Sequence, residues 1–129
     1  MTYSMEMIER DGFLHAKVKG EKTIANVGAY LHQIYLACLE SGIPVVLIEE
    51  NMDGRMSVMD IFEVVVEGSK ETWPHVRKVA YVDVNPDHPF EDIQFGENVA
   101  VNRGVNGKVF RTVAEAEAWI RTTETPAAP

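Results

Sequence analysis

Phe95-Gly-Glu-Asn-Val-Ala-Val-Asn-Arg-Gly104, followed by Lys108-Val-Phe-Arg-Thr-Val-Ala-Glu-Ala-Glu-Ala-Trp-Ile120, reads as helix, glycine stop, short strand, helix. Phe95 and Val99 stand one helical turn apart. Gly104 is the residue expected just past a helix end, because only glycine enters the left-handed region without a Cβ penalty. Val109 and Phe110 supply a short buried strand. Thr112 is placed to cap the last helix, with Glu115 three residues on, the spacing of a capping box. Ala114, Ala116 and Ala118 let that helix approach a sheet, and Trp119 is expected to close the core beside Val109 and Phe110.

The same alternation extends back through the chain. Val45 to Ile48 is continuously apolar, as in a central strand covered on both faces and usually parallel. A further buried strand lies within Val76 to Val84, centred on Val79-Ala80-Tyr81-Val82, and the third helix runs from Phe90 or Glu91 to Arg103. Thr23 to Ser41 is the longest predicted helix. Ile24, Val27, Leu31, Ile34 and Cys38 recur at helical spacing, with Tyr30 and Tyr35 widening the stripe. Gly42 stops it and Pro44 forbids its return. Ser57 is placed to cap a second helix with Asp60 at its third position. Val58, Ile61, Phe62 and Val65 form its predicted inner face, and Gly68 its end. Trp73-Pro74 reads as an extended dipeptide. At the N-terminus, Met5 to Glu9, the turn Arg10-Asp11-Gly12 and Phe13 to Lys19 form a hairpin. In its second strand Leu14, Ala16 and Val18 point one way, and Phe13, His15, Lys17 and Lys19 the other.

The element order is therefore β-β-α-β-α-β-α-β-α. It predicts an α/β fold: a mixed sheet with parallel central strands, right-handed crossovers and an N-terminal antiparallel hairpin. Residues 1–121 are expected to form one domain and residues 122–129 a disordered tail. A lone cysteine, Cys38, excludes an internal disulfide framework and a cysteine-built zinc site. The net charge of −8 argues against nucleic acid as a partner. Lys17, Lys19 and Lys22, the only local basic cluster, read as a solvated strand face. There is no signal-peptide pattern and no apolar run long enough to span a membrane, so a soluble cytoplasmic protein is expected.

Three stretches carry a resemblance: Glu9-Arg-Asp-Gly-Phe-Leu in the hairpin, Arg77-Lys-Val-Ala-Tyr-Val in the later strand, and Glu97-Asn, Arg103-Gly, Val109-Phe and Ala114-Glu-Ala-Glu-Ala-Trp-Ile at the end. With the element order, they resemble the SpoIIAA-like branch of the STAS-like fold, the bacterial anti-sigma-factor antagonist-like domains, over about residues 5 to 121. The resemblance implies a small, usually non-enzymatic domain that binds a protein partner. True antagonists are phosphorylated by a partner kinase on a serine at the start of the helix after a central strand, within an Asp-Ser-Ser-Gly-like motif. The corresponding stretch here is Asn51-Met-Asp-Gly-Arg-Met-Ser57-Val-Met-Asp60. It has a serine at about that place and lacks the motif. Some relatives also resemble lipid-binding domains in overall fold.

The residues themselves point to binding more than to chemistry. Ser57 is the regulatory candidate: it reads as an N-cap, and as a phosphosite it would sit at a helix N-terminus, favoured by the dipole and by Arg55 but opposed by Asp53 and Asp60. Met52, Asp53, Met56 and Met59 are candidate partner or ligand contacts, since flexible thioethers suit adaptable surfaces. The alternative has Met59 packing inward and the other two methionines exposed. Acidic residues gather after two strands, Glu49, Glu50 and Asp53 after one and Asp83, Asp87 and His88 after the other, where open α/β sheets bind ligands. Their spacing matches no known metal-ligand loop, and no metal or cofactor is predicted. The histidines show no ligand or catalytic spacing, Cys38 lies on an apolar stripe, and no nucleophile motif occurs, so no catalytic residue is assigned. The primary reading is a non-enzymatic regulatory or protein-interaction domain, its partner another protein or a second copy in a homodimer. The alternative is a carrier or sensor of a small apolar, lipid-like ligand lodged between sheet and helices near Phe62, Val65, Trp73 and Phe95. A filled core favours the first, and a closed apolar cavity of several hundred Å3 the second.

Overall fold

The computed structural model describes residues 2–72 and 75–122. Its elements are β1 (Tyr3–Arg10), β2 (Phe13–Glu21), α1 (Ile24–Ser41), β3 (Val45–Asp53), α2 (Val58–Thr72), β4 (Lys78–Asp83), α3 (Phe90–Asn102), β5 (Gly107–Phe110) and α4 (Val113–Ile120). The five strands lie side by side in chain order. β1 and β2 pair antiparallel, and every later pair is parallel. This is the predicted mixed sheet with its N-terminal hairpin. Residues 73 and 74, where an extended dipeptide is expected, and residues 123–129 lie outside the described residues.

Strand order decides where the helices go. Three right-handed crossovers that step the same way across a sheet place α1, α2 and α3 on one face. The alternation of β3 shows the result. Val46, Ile48 and Met52 pack under those helices with Val27, Tyr30, Ile34 and Val64. Val45 and Leu47 point to the other face, where α4 presents Ala116 and Trp119. Both faces of the middle strands are thus dry, as a continuous apolar run requires. β3 runs past Ile48 to Asp53, so the polar stretch after the apolar run is still strand.

The ends are set by the expected caps. Thr23 Oγ1 accepts from the Asn26 amide at 3.1 Å, and the amide of Gly42 bonds to the Cys38 carbonyl at 3.0 Å. Thr112 caps α4 in a modified box: its hydroxyl accepts from the Glu115 amide and donates to the Glu115 carboxylate at 2.8 Å. The far end of α4 is closed from the sheet. Lys78, buried on β4, donates to the carbonyls of Trp119 and Thr122 and to the Thr122 hydroxyl at 3.0–3.1 Å. An ammonium there meets both the orphan carbonyls and the negative end of the helix dipole. Trp119 is half-buried, its ring 5.9 Å from that of Phe110.

Four details differ from the sequence reading. Gly68 does not end α2; it lies inside the helix, where an added Cβ would come within 3.3 Å of Leu31 on α1. It allows close helix approach in place of a stop. The inner face of α2 is Ile61, Val64 and Val65, while Val58 and Phe62 face solvent. Large apolar residues crowd the first nine positions of this helix and point to more than one side, so spacing alone selects no single stripe. Ile24 is likewise exposed at the start of α1. On β2, Phe13 and His15 are buried on the α4 side, and the solvated face begins only near Lys17.

Two glycines give opposite predictions. Gly20 ends β2 at φ +135°, and a Cβ there would lie 2.6 Å from the Thr2 carbonyl oxygen and from the Tyr3 Cα on the paired strand. Gly28 is helical, and its added Cβ would meet only Val64 at 3.9 Å. Gly20→Ala is expected to cost about 1–3 kcal/mol, and Gly28→Ala to add up to about 1 kcal/mol. Urea unfolding midpoints of the two variants measure both signs.

Candidate functional site

The carboxyl ends of β2, β3 and β4 converge on the three-helix face, the place where open α/β sheets bind ligands. Side-chain alternation aims Glu50 from β3 and Asp83 from β4 at that face, and both are fully buried. Lys22, just past β2, reaches between them. Its ammonium lies 2.8 Å from Glu50 Oε1, 3.4 Å from Asp83 Oδ2 and 3.2 Å from the Tyr81 hydroxyl. Glu50 Oε1 has no well-aligned hydrogen-bond donor, yet the ammonium stands in direct ionic contact with it, so the charge is matched. The Tyr30 hydroxyl, carried in from α1, donates to Glu50 Oε2.

His88 completes the cluster from the β4–α3 loop. Its Nδ1 is 2.7 Å from Asp83 Oδ2, and its Nε2 donates to the Gly54 carbonyl. Both ring nitrogens thus face oxygen atoms. The other Asp83 oxygen accepts the Asn85 amide at 3.0 Å. Arg111, just past β5, braces the same loop, donating to the carbonyls of Asn85 and His88. A contrasting histidine sits on the α4 face. His15 Nε2 is 2.8 Å from Glu49, and its Nδ1 faces Arg10 at 3.2 Å. Arginine is donor only, so here one nitrogen accepts and the other donates.

Burial pushes the Tyr30 and Tyr81 phenols well above their ordinary value, and the negative charge of Glu50 adds to the shift. Burial also raises the Cys38 thiol, consistent with an inert core cysteine.

Beside the cluster, between the sheet and α1–α3, is a cavity of about 160 Å3. Its walls are mainly Val27, Leu31, Ile61, Val64, Val65, Ile93 and Ala100, with Ile48, Val79 and Tyr81 from the sheet. Lys22, His88 and Arg55 line it as well, from the loops at the carboxyl end of the sheet, as does Asp92 from the first turn of α3. There Arg55 forks onto Asp92, at 2.8 and 3.3 Å. Of the residues expected to surround a ligand, Val65 lines the cavity, Phe62 and Phe95 do not, and Trp73 lies outside the described residues.

Glu50, Asp83 and His88 each offer one ligand atom, and these lie within 4.8 Å of one another, close enough for a metal ion. Lys22 contacts the carboxylates of both acidic members. A divalent ion there would have to displace the protein's own cation.

The remaining candidates separate. Ser57 does cap α2, its hydroxyl accepting the Asp60 amide at 3.1 Å. Met52 is fully buried in the core, and Met56 is buried against the cavity. Met59 is 71% exposed, so the arrangement is the reverse of the one with Met59 inside. The Asp53 side chain is exposed, while its carbonyl accepts the Lys22 amide at 2.7 Å. Lys22 itself does not belong to a solvated basic face with Lys17 and Lys19; it is the centre of the buried cluster. The residues that sequence reasoning left unassembled are Lys22, Tyr30, Tyr81 and His88. Acidic strand ends marked the place, but nothing in their spacing joins a lysine to carboxylates 28 and 61 residues away.

No protein-family model matches the sequence, and no curated protein does. The solved structures that share its fold include two bacterial proteins. One is an anti-sigma factor antagonist from Mycobacterium paratuberculosis, 14% identical, with a TM-score of 0.60 over 94% of this chain and 96% of that one. The other is an uncharacterized DUF3478-family protein with a SpoIIAA-like fold from Shewanella loihica PV-4, 16% identical, with a TM-score of 0.52 over 92% and 93%. The chain therefore has a SpoIIAA-like fold. Among the described residues, no helix is long and apolar enough to cross a membrane.

The cluster yields two predictions. Lys22→Met leaves two buried carboxylates without their cation, and removing one partner of a buried pair typically costs about 3–5 kcal/mol; chemical denaturation measures the loss. The second concerns alkaline pH. With folded-state values raised, Tyr30 and Tyr81 keep their protons above about pH 10, where unfolded tyrosines lose them. The native state then binds more protons, so stability holds below that pH and falls as pH rises beyond it. Ultraviolet titration should show the phenolate signal of these two residues appearing only together with loss of native circular dichroism.

Proposed function

We propose that this chain is a small non-enzymatic regulatory domain that acts by binding a protein partner, either another chain or a second copy of itself. The observation that carries this reading is the start of α2. Behind the Ser57 cap, Val58, Met59 and Phe62 turn large apolar side chains to solvent. Grouped exposure of this kind on a small soluble domain favours an interaction surface. Exposed Asp53 lies on the preceding strand end, while Met52 and Met56 support the surface from inside. The fold shared with an anti-sigma factor antagonist supports the same reading.

The chemistry of the cluster supports a non-enzymatic role. Its lysine, carboxylates, phenols and imidazole are held by one another, and Cys38 is buried in the apolar core. In this reading Ser57 serves as a helix cap. Arg55, the cation that would have favoured a phosphate beside it, is paired with Asp92.

A second reading rests on a different observation, the cavity between the sheet and α1–α3. It is smaller than several hundred Å3, yet it leaves the core unfilled and apolar-walled, which favours a small apolar ligand.

Native mass spectrometry of the protein purified from its own host tests both readings, reporting protein partner, subunit number and bound small molecule together. Met59→Glu is expected to abolish a protein complex without changing the melting temperature, since Met59 is exposed. Ser57→Asp is expected to keep both binding and stability, the latter within about 1 kcal/mol, because both residues are good caps. A complex that survives Met59→Glu, or one lost in Ser57→Asp, would count against this surface or against the simple cap.

A further inference from the structure

We propose that the cavity selects an uncharged apolar molecule of about single-ring size and rejects anions, even though a lysine lines it. This rests on the ligand-binding reading above and specifies what such a ligand must be. Size comes first. At about 160 Å3 the cavity matches the ~150 Å3 engineered cavity that takes up benzene. A two-chain lipid does not fit in that space.

Charge follows from the partners of each cation at the carboxyl end. A lysine beside an apolar cavity ordinarily suggests a carboxylate or phosphate head group. Lys22, however, has three donors and three oxygens around it: Glu50 at 2.8 Å, Asp83 at 3.4 Å and Tyr81 at 3.2 Å. Arg55 is forked onto Asp92, and both nitrogens of His88 are taken by Asp83 and Gly54. An incoming anion would have to compete with these partners for Lys22 and His88, and the N–H groups of Arg55 that Asp92 leaves over belong to a side chain 62% exposed, where water and salt screen them. It would also face the Asp92 and Glu97 carboxylates that line the cavity, with those of Glu50 and Asp83 fully buried behind Lys22, where repulsion is weakly screened. Lys108, which lines the cavity from β5, is exposed, and water and salt screen its attraction. An organic cation gains as little, since Glu50 and Asp83 already hold Lys22 and His88, Asp92 holds Arg55, and Glu97 accepts the Val109 amide at 2.8 Å. A neutral ring or short branched chain displaces no ion pair and buries its surface against valine, isoleucine and leucine.

Size-matched probes test the idea: toluene, benzoate and benzylammonium, titrated into the native protein and followed by amide chemical shifts. Toluene is expected to shift amides around Val64, Gly96 and Ala100, with benzoate and benzylammonium at least about tenfold weaker. Ala100→Leu, which fills the cavity, should remove the toluene response. Glu50→Gln, which takes one carboxylate from Lys22, should narrow the gap between benzoate and toluene. If either charged probe binds the native protein as well as toluene does, selection by charge is overturned and the cavity reading stands. Toluene binding that survives Ala100→Leu overturns the location. If none of the three probes shifts the cavity amides, the ligand-binding reading and this inference fall together.

Discussion

Lys22 is the interaction on which the interior depends. One ammonium joins the carboxyl ends of β2, β3 and β4, because its two carboxylate partners belong to neighbouring strands and it follows the third. Two fully buried carboxylates side by side would otherwise repel each other in a medium that screens poorly. Tyr30 extends the tie to α1, and His88 extends it to the loops before α2 and α3. Such pairs often add little net stability, yet breaking one is costly. Here the cluster fixes the relative position of elements that border the cavity, and its internal charge balance defines the cavity's polar end.

The two sheet faces meet the same physical problem differently. On the three-helix face a lysine neutralises acids, and the apolar helices close around it. On the other face a buried lysine, Lys78, serves a helix end. It satisfies the last carbonyls of α4 and lies 4.8 Å over the Trp119 ring. A helix of eight residues is too short to be stable alone, so its attachment comes from this cap, from the Thr112 end and from Ala116 against the sheet. A short helix can therefore cover the central strands while leaving polar Lys17 and Lys19 at the solvated part of the face.

Much of this architecture is legible in the chain because it is local. The apolar run at Val45–Ile48, the caps at Thr23 and Thr112, and the glycines at 42 and 104 each encode an element boundary through neighbouring residues. The stripe of α2 was not legible, since its surplus of valines and isoleucines fits two helical faces equally well and only packing against Leu31 and Gly96 chooses between them. The candidate site was legible only in outline. Acids at strand ends follow from topology, whereas the union of Lys22 with Glu50, Asp83 and His88 depends on parallel register, which no single segment contains. Lys22 also sits near two surface lysines in sequence, and that proximity hides its different fate. The methionines mislead for a similar reason: Met52 follows strand alternation into the core, while Met59, seven residues on, starts a helix on its outer side.

The sequential order of the strands has a consequence for how the chain reaches this state. Each parallel pair joins segments that are roughly thirty residues apart, so no strand closes a loop much longer than one crossover helix requires. Parallel sheets are usually slow to form because distant segments must meet before any contact rewards them. Here the hairpin of β1 and β2 offers an edge, and every later strand pairs with the one before it in the chain. In a chain that docks its strands in this order, Lys22 is in place with β2, Glu50 joins it with β3, and Asp83 and His88 follow with β4. Such an order would never gather the two acids in the interior ahead of the cation that makes their burial tolerable.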